Sequence, residues 1–215
     1  MPLRRWLIAG LLVCLVAVGI VAAAGWAYFH PRFNWRRGIA YGERQGKTLT
    51  LDVLTPSAPN GLGIVFLVSG GWKSGTESFR PWLMAPLLRH GYTVLPVYHV
   101  SQPTGDGGPP RSFLRAFDQD PVDMPRWRLT AAELSPLLHV TGEMPPVLIH
   151  HGDRDTLVTL DQSVRFRDRA AAVGGDVTLV TVAGAGHTWL LMPWHIAQCA
   201  AWFDTQFAAP GRNRP

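Results

Sequence analysis

The sequence is poor in cysteine, lysine and charge. Its 215 residues include two cysteines, and only 16% of positions carry a charged side chain. Cys14 lies inside an apolar run and Cys199 lies within a predicted helix, so we expect no intrachain disulfide. Only two of the 20 basic residues are lysines, and the scattered arginines form no stripe with interleaved aromatics, which argues against a nucleic-acid partner. A hydrophobic fraction of 47% excludes a disordered chain.

The first thirty residues contain a long uncharged segment that runs from Leu7 to Phe29. It is long enough to cross a bilayer as a helix and exceeds the hydrophobic core of about 7–15 residues usual in signal peptides. We favour an uncleaved anchor, although the small residues at 22–25 also permit a cleaved signal. Arg4 and Arg5 precede the segment and favour a cytoplasmic N-terminus with an exported domain, periplasmic or extracellular. We divide the chain into a membrane segment at 1–30, a domain at 31–207 and a tail at 208–215.

Short apolar runs alternate with helical periodicities along the rest of the chain. Alternating residues at 49–53, preceded by a turn, predict a strand in a hairpin with 39–41. Mostly apolar runs that predict strands lie at 63–68, 92–97, 145–149 and 177–182. The run at 63–68 is unbroken and suits a strand buried on both faces, as in parallel sheets. Helical patterns lie between and after them, at 82–88, 159–173 and 196–207. This alternation predicts an α/β domain with a mostly parallel sheet flanked by helices.

Three of the predicted strands end in residues suited to catalysis, and functional sites in such sheets gather at the carboxyl ends of strands. Glycines after the first run place backbone N–H groups where they could hold an oxyanion, or form a plain turn. Asp155 follows the third run after a tight turn and suits a carboxylate that orients a histidine. The neighbouring histidines match no metal-ligand spacing, so we predict no metal. His187 follows the last run. It is either the histidine that Asp155 orients, acting as a general base, or an ordinary surface residue.

These segments resemble the α/β-hydrolase superfamily, in particular its esterase and feruloyl-esterase-like branch near the prolyl oligopeptidases. The segment IVFLVSGGWKSG is similar to the branch's oxyanion strand and loop, which implies oxyanion roles for Gly70, Gly71 and Trp72. PPVLIHHGDRDTLV resembles the strand that carries the acid of the catalytic triad, which falls on Asp155. VTLVTVAGAGHTW resembles the segment with the triad histidine, which falls on His187.

The sequence departs from this family at the nucleophile. The family carries a Gly-x-Ser-x-Gly elbow on a strand and helix of its own, and no such pattern occurs here. The eight serines all lie outside such a context: Ser57, Ser69, Ser74, Ser78, Ser101, Ser112, Ser135 and Ser163. An irregular stretch at 101–128, with five prolines and three glycines, stands where the elbow is expected. We therefore predict an incomplete α/β-hydrolase domain of marginal stability, since a missing central strand leaves edges to be covered.

Three functional hypotheses follow. The resemblance implies a membrane-anchored serine hydrolase for small ester or acyl substrates that needs no cofactor, while the missing elbow argues against turnover by this chain. The alternative is an inactive, membrane-anchored binding or interaction protein derived from a hydrolase. In a third reading a serine outside the elbow pattern, such as Ser74 or Ser101, acts as the nucleophile.

Overall fold

The computed structural model describes residues 2–44, 47–68, 76–98, 129, 132–133 and 135–208. The chain divides into two compact units, the first formed by Met1–Val68 with Phe79–Tyr98 and the second containing the remainder. The predicted oxyanion residues Gly70, Gly71 and Trp72 and the irregular stretch at 101–128 lie outside the described residues. The predicted division at 30 and 207 stays a prediction.

The chain begins with a long helix, α1 (Pro2–Phe29). Its segment Trp6–Phe29 has a mean hydropathy of 2.9 over its most apolar window, and none of that window is buried. At a rise of about 1.5 Å per residue, 24 residues extend about 36 Å, against a hydrocarbon core of about 30 Å. Arg89 donates hydrogen bonds to the carbonyls of Tyr28 and Ala27, at 2.8 and 2.6 Å, and so satisfies the end of the helix.

The first unit contains a four-stranded mixed sheet with the order β1-β2-β4-β3. β1 and β2 form an antiparallel hairpin, β2 and β4 are antiparallel, and β3 and β4 are parallel. The strands are β1 (Phe33–Arg44), β2 (Lys47–Pro56), β3 (Gly63–Val68) and β4 (Thr93–Tyr98). A 3₁₀ turn (Pro81–Met84) and the short helix α2 (Ala85–Arg89) cross from β3 to β4. The core is apolar and includes the buried side chains of Leu54, Met84, Leu88, Tyr92 and Val94.

One carboxylate is buried inside this sheet. Asp52 on β2 is 1% exposed. Its oxygens accept hydrogen bonds from the Trp35 indole at 3.0 Å, the Gly38 amide at 2.8 Å and the Tyr98 hydroxyl at 3.0 Å. Because a buried carboxylate is costly unless its oxygens are hydrogen-bonded, these three donors make the position tolerable. They also tie β1 and β4 to β2 through side chains.

The second unit contains a parallel pair of strands with a helix between them in sequence. β5 (Val147–Gly152) pairs with β6 (Val177–Val182) from Val147 opposite Val177 to Gly152 opposite Val182. The connecting helix is α3 (Leu160–Ala172), and α4 (Met192–Ala208) follows β6. A 3₁₀ turn (Pro136–His139) precedes β5. A β-strand, a helix and a parallel strand form the unit from which α/β sheets are built.

The predicted α/β class with flanking helices is confirmed, and the sheet is mixed in the first unit and parallel in the second. Two of the four strand pairings in the described part of the chain are antiparallel, because the N-terminal hairpin extends the parallel strands. The four apolar runs form strands close to their predicted positions. The helix predicted at 82–88 is divided between the 3₁₀ turn and α2, since Pro86 limits the length of regular helix before Gly91.

Candidate acid–base site

The site lies at the carboxyl ends of β5 and β6. Because these strands are parallel neighbours, the loops that follow them leave the sheet side by side. The two loops are joined by backbone bonds from Arg154 N to the Ala185 carbonyl at 2.9 Å and from Asp153 N to the Val182 carbonyl at 3.2 Å. The Asp153 carboxylate accepts a further bond from the Gly184 amide at 2.7 Å. These contacts bring together two residues that are 32 positions apart in sequence, Asp155 and His187.

The last residue of β5, Gly152, allows this close approach. A Cβ atom at this position would lie 2.5 Å from the carbonyl oxygen of Gly186 and 2.6 Å from the carbonyl carbon of Ala185. It would come closer still to the carbonyl oxygen of Ala185. Only a residue without a side chain lets the two loops pack at this distance.

Asp155 holds His187 through one carboxylate oxygen. Oδ2 of Asp155 is 2.9 Å from Nδ1 of His187, while Oδ1 accepts bonds from the amides of Leu157 and Val158, each at 2.9 Å. The Asp155 side chain is 5% exposed and the His187 side chain 51% exposed. Because an ionised carboxylate can only accept, Nδ1 of His187 carries the proton. Its Nε2 is then the ring nitrogen with a lone pair.

The environment of Asp155 keeps its carboxylate ionised. Burial alone would raise the pKa of this group. The Val158 amide, His187 and the Leu157 amide together outweigh that effect and lower the pKa of Asp155 to about 2. The carboxylate is therefore charged throughout the neutral range, as is required of a group that orients a histidine and stabilises its protonated form.

A second histidine contacts the same carboxylate. Nε2 of His151, on β5, lies 3.4 Å from Oδ2 of Asp155 and 2.8 Å from the Val158 carbonyl oxygen. Its Nδ1 lies 2.7 Å from Oγ of Ser163 on α3. The sequence analysis missed this contact. The only available signal was alternation along β5, which places His150 and His151 on opposite faces of the strand.

A cavity of about 300 Å³ opens at the pair. Its lining includes His150, Asp155, Val158, His187, Trp189 and Met192. Burial and the nearby His195 lower the pKa of His150, which favours the neutral form of its ring. The walls therefore combine apolar side chains with the ionised carboxylate of Asp155, a composition that suits a small ligand with an apolar portion.

The structure brings the predicted Asp155 and His187 together, whereas the predicted oxyanion residues lie outside its description. Of the serines it describes, Ser163 is joined to this network, and its hydroxyl contacts His151. Within the described ranges, no three or more His, Cys, Asp or Glu side chains are grouped so that they could hold a metal ion. The nucleophile remains unassigned.

Comparisons with known proteins concern the fold and the family resemblance of the chain. The family model BD-FAE, an esterase-like α/β-hydrolase family, matches residues 123–169, which include β5, Asp155 and most of α3. No curated protein matches the chain. Several solved structures share its fold at low sequence identity.

A truncated carbohydrate esterase from gut microbiota is 16% identical, with a TM-score of 0.60, over 82% of this chain and 97% of that one. Thermogutta terrifontis esterase 2 phosphorylated by paraoxon is 18% identical, with a TM-score of 0.61, over 83% and 95%. TT1662 from Thermus thermophilus is 16% identical, with a TM-score of 0.52, over 83% and 99%. The chain therefore has the α/β-hydrolase fold, and its resemblance to the esterase branch of that superfamily is confirmed.

Proposed function

We propose that this protein is a membrane-anchored ester hydrolase in which His187 acts as the general base and Asp155 orients it. The observation that carries the proposal is the 2.9 Å bond between Asp155 Oδ2 and His187 Nδ1. This bond leaves the other ring nitrogen of a half-exposed histidine available to a nucleophile. The adjoining cavity gives an ester room to approach the pair.

The reaction follows from the protonation states. As a hydroxyl oxygen attacks the ester carbonyl carbon, its proton moves to Nε2 of His187, and the charge of Asp155 stabilises the resulting imidazolium. The imidazolium then returns the proton to the departing alcohol, and a water molecule repeats both steps to release the acid. Backbone N–H groups of Gly70 and Gly71 would stabilise the oxyanion, a role carried over from the family resemblance.

The nucleophilic hydroxyl belongs, in this proposal, to a serine outside the elbow pattern. Ser74 follows the glycine-rich loop and Ser101 follows β4, and both positions come after strands that end near functional sites in this fold class. The cavity volume of about 300 Å³ favours esters of short acyl groups. Thermogutta terrifontis esterase 2, whose fold this chain shares, has been solved with butyrate bound, and this supports a short acyl chain as the first substrate to test.

We further propose that α1 anchors the enzyme in a membrane with its N-terminus in the cytoplasm and the hydrolase domain exported. The length and hydropathy of Trp6–Phe29 and the arginines that precede it support this arrangement. A cleaved signal sequence has the same features. A mature protein that keeps residues 1–30 and is recovered in the membrane fraction supports the anchor. A mature protein that lacks residues 1–30 supports the cleaved signal.

The second candidate is an inactive binding protein derived from a hydrolase. It is favoured by one specific observation, the lack of any Gly-x-Ser-x-Gly segment in the sequence. In that case the pair would survive without a nucleophile. Loss of the nucleophile from a catalytic triad leaves only a small fraction of the original activity.

Labelling of the full chain in detergent with a fluorophosphonate probe separates the two candidates. The hydrolase proposal predicts a covalent adduct on one serine and hydrolysis of p-nitrophenyl butyrate. It also predicts that His187→Gln lowers kcat/KM at least 100-fold, within the range usual for loss of a general base. His139→Gln is the matched control, because His139 contacts only the Glu133 carbonyl among its described hydrogen bonds. Absence of both adduct and hydrolysis would leave the binding protein as the correct description.

A further inference from the structure

The role of His151 is the least explained feature of the site. This side chain is 10% exposed, and both of its ring nitrogens have partners at hydrogen-bond distance. Neither of these partners is His187. The proton on its Nε2 is fixed by chemistry, since the Val158 carbonyl oxygen at 2.8 Å can only accept a hydrogen bond. In the neutral ring Nδ1 then accepts from the Ser163 hydroxyl.

These bonds close a loop around the acid. Val158 donates its amide hydrogen to Oδ1 of Asp155, and its carbonyl receives the Nε2 proton of His151. The same Nε2 lies 3.4 Å from Oδ2, the oxygen that holds His187. The turn at 155–158 is therefore connected to β5 through one imidazole, and that imidazole is connected to α3 through Ser163.

We propose that His151 is a positioning residue that holds the 155–158 turn so that Oδ2 of Asp155 stays directed at His187. The inference rests on the proposed function, because only a catalytic acid–base pair requires precise placement of Asp155 and His187. Misplacing a reacting group by about 1 Å can cost about 100-fold in rate.

Two substitutions of His151 test this role. His151→Leu keeps an apolar side chain of moderate size but cannot donate to the Val158 carbonyl. His151→Gln places an amide N–H close to the position of the histidine Nε2 and restores the donor. We expect His151→Leu to lower kcat for p-nitrophenyl butyrate about tenfold or more with KM within about twofold, and His151→Gln to recover most of that loss.

A second measurement does not depend on turnover. The hydrogen-bonded Nδ1 proton of His187 gives a far-downfield ¹H NMR signal, and exchange of the Val158 amide reports the turn itself. We expect His151→Leu to abolish the signal and to speed Val158 amide exchange about tenfold. His151→Gln should preserve both readouts. His139→Leu, which removes a different imidazole contact with a backbone carbonyl, should change neither.

The outcomes separate this inference from the proposed function. If the wild-type chain does not hydrolyse the ester but His151→Leu alters the NMR signal and the exchange rate as expected, the positioning role stands and the hydrolase fails. If His151→Leu leaves signal, exchange and kcat unchanged, the positioning role is overturned. A fluorophosphonate adduct on Ser163 would also overturn it, because Ser163 and His151 would then be a reacting pair. Should His151→Leu not fold, Ser163→Ala provides the same test with a smaller expected loss, and an unchanged Val158 exchange rate in that variant refutes the role.

Discussion

A single methyl group at Gly152 should separate the acid from the base. In Gly152→Ala the new Cβ would meet backbone atoms of Ala185 and Gly186, which cannot rotate away as the end of a flexible side chain would. Ordinary contacts with a Cβ are about 3.4 Å or longer, so the loop that carries His187 must move by roughly 1 Å. Forcing an extra methyl group into a closely packed position costs about 1–3 kcal/mol. The 2.9 Å bond between Asp155 and His187 would then stretch beyond hydrogen-bond distance.

The assay combines thermal unfolding in detergent with the ¹H NMR signal of the His187 Nδ1 proton. We expect Gly152→Ala to lower the unfolding midpoint by roughly 2–12 °C and to abolish the signal. Gly186→Ala is the matched control in the same loop, because its Cβ would meet no atom closer than the Arg154 carbonyl oxygen at 3.9 Å. Gly142→Ala would press on the Val173 carbonyl, so it should lower the midpoint but keep the signal. A Gly152→Ala protein that matches Gly186→Ala in both readouts would refute the close packing described for these loops.

Three further predictions concern stability and the membrane. Asp52→Ala leaves three hydrogen-bond donors without their acceptor and should lower the free energy of unfolding in urea by at least about 3 kcal/mol. Asp161→Ala removes an exposed ion pair with Arg165 and should lower it by no more than about 0.5 kcal/mol. Equal effects of the two substitutions would contradict the buried network. The folded-state pKa of Asp155 lies below the ordinary value, so the stability that its ionised carboxylate contributes is present above about pH 4 and is lost as the pH falls towards 2. In Asp155→Asn this part of the acid unfolding profile should flatten. An unchanged profile would refute the assignment. The full chain should resist carbonate extraction from membranes while a chain lacking residues 1–30 is released, and the released domain should unfold below about 60 °C, which a sharper transition at higher temperature would contradict.

The sequence was sufficient for the parts of the fold that depend on local pattern. The apolar run at 63–68 identified β3 by composition, although Val65 and Leu67 on one face of that strand are exposed, contrary to the expected burial on both faces. At 177–182 the exposed Thr178 and Thr181 interrupt the apolar residues of β6, and the β-branched composition still identified a strand. The hairpin was underestimated in length. β1 has irregular register between Arg36 and Ile39 and between Ala40 and Gly42, and these irregularities break the alternation that marks a strand in sequence.

The acid–base pair was predictable because its members follow strands that are consecutive βαβ neighbours. Asp155 and His187 need only the parallel pairing of β5 and β6 to meet. The contact between His151 and Ser163 could not be read in the same way. It depends on how α3 rotates about its axis when it packs on the sheet, and that rotation is set by tertiary packing rather than by any local pattern.

If α1 anchors the protein as proposed, the hydrogen bonds between Arg89 and the last turn of α1 would give that helix a mechanical role. The apolar segment is about 6 Å longer than an average hydrocarbon core, and such a mismatch is relieved by tilt, by kinking or by local thickening of the bilayer. Because the Arg89 guanidinium donates hydrogen bonds to the carbonyls of Ala27 and Tyr28, a tilt of the proposed anchor would be passed on to the first sheet. Bilayer thickness would then set the inclination of that sheet, so that membranes of different lipid composition would present the same unit at different angles.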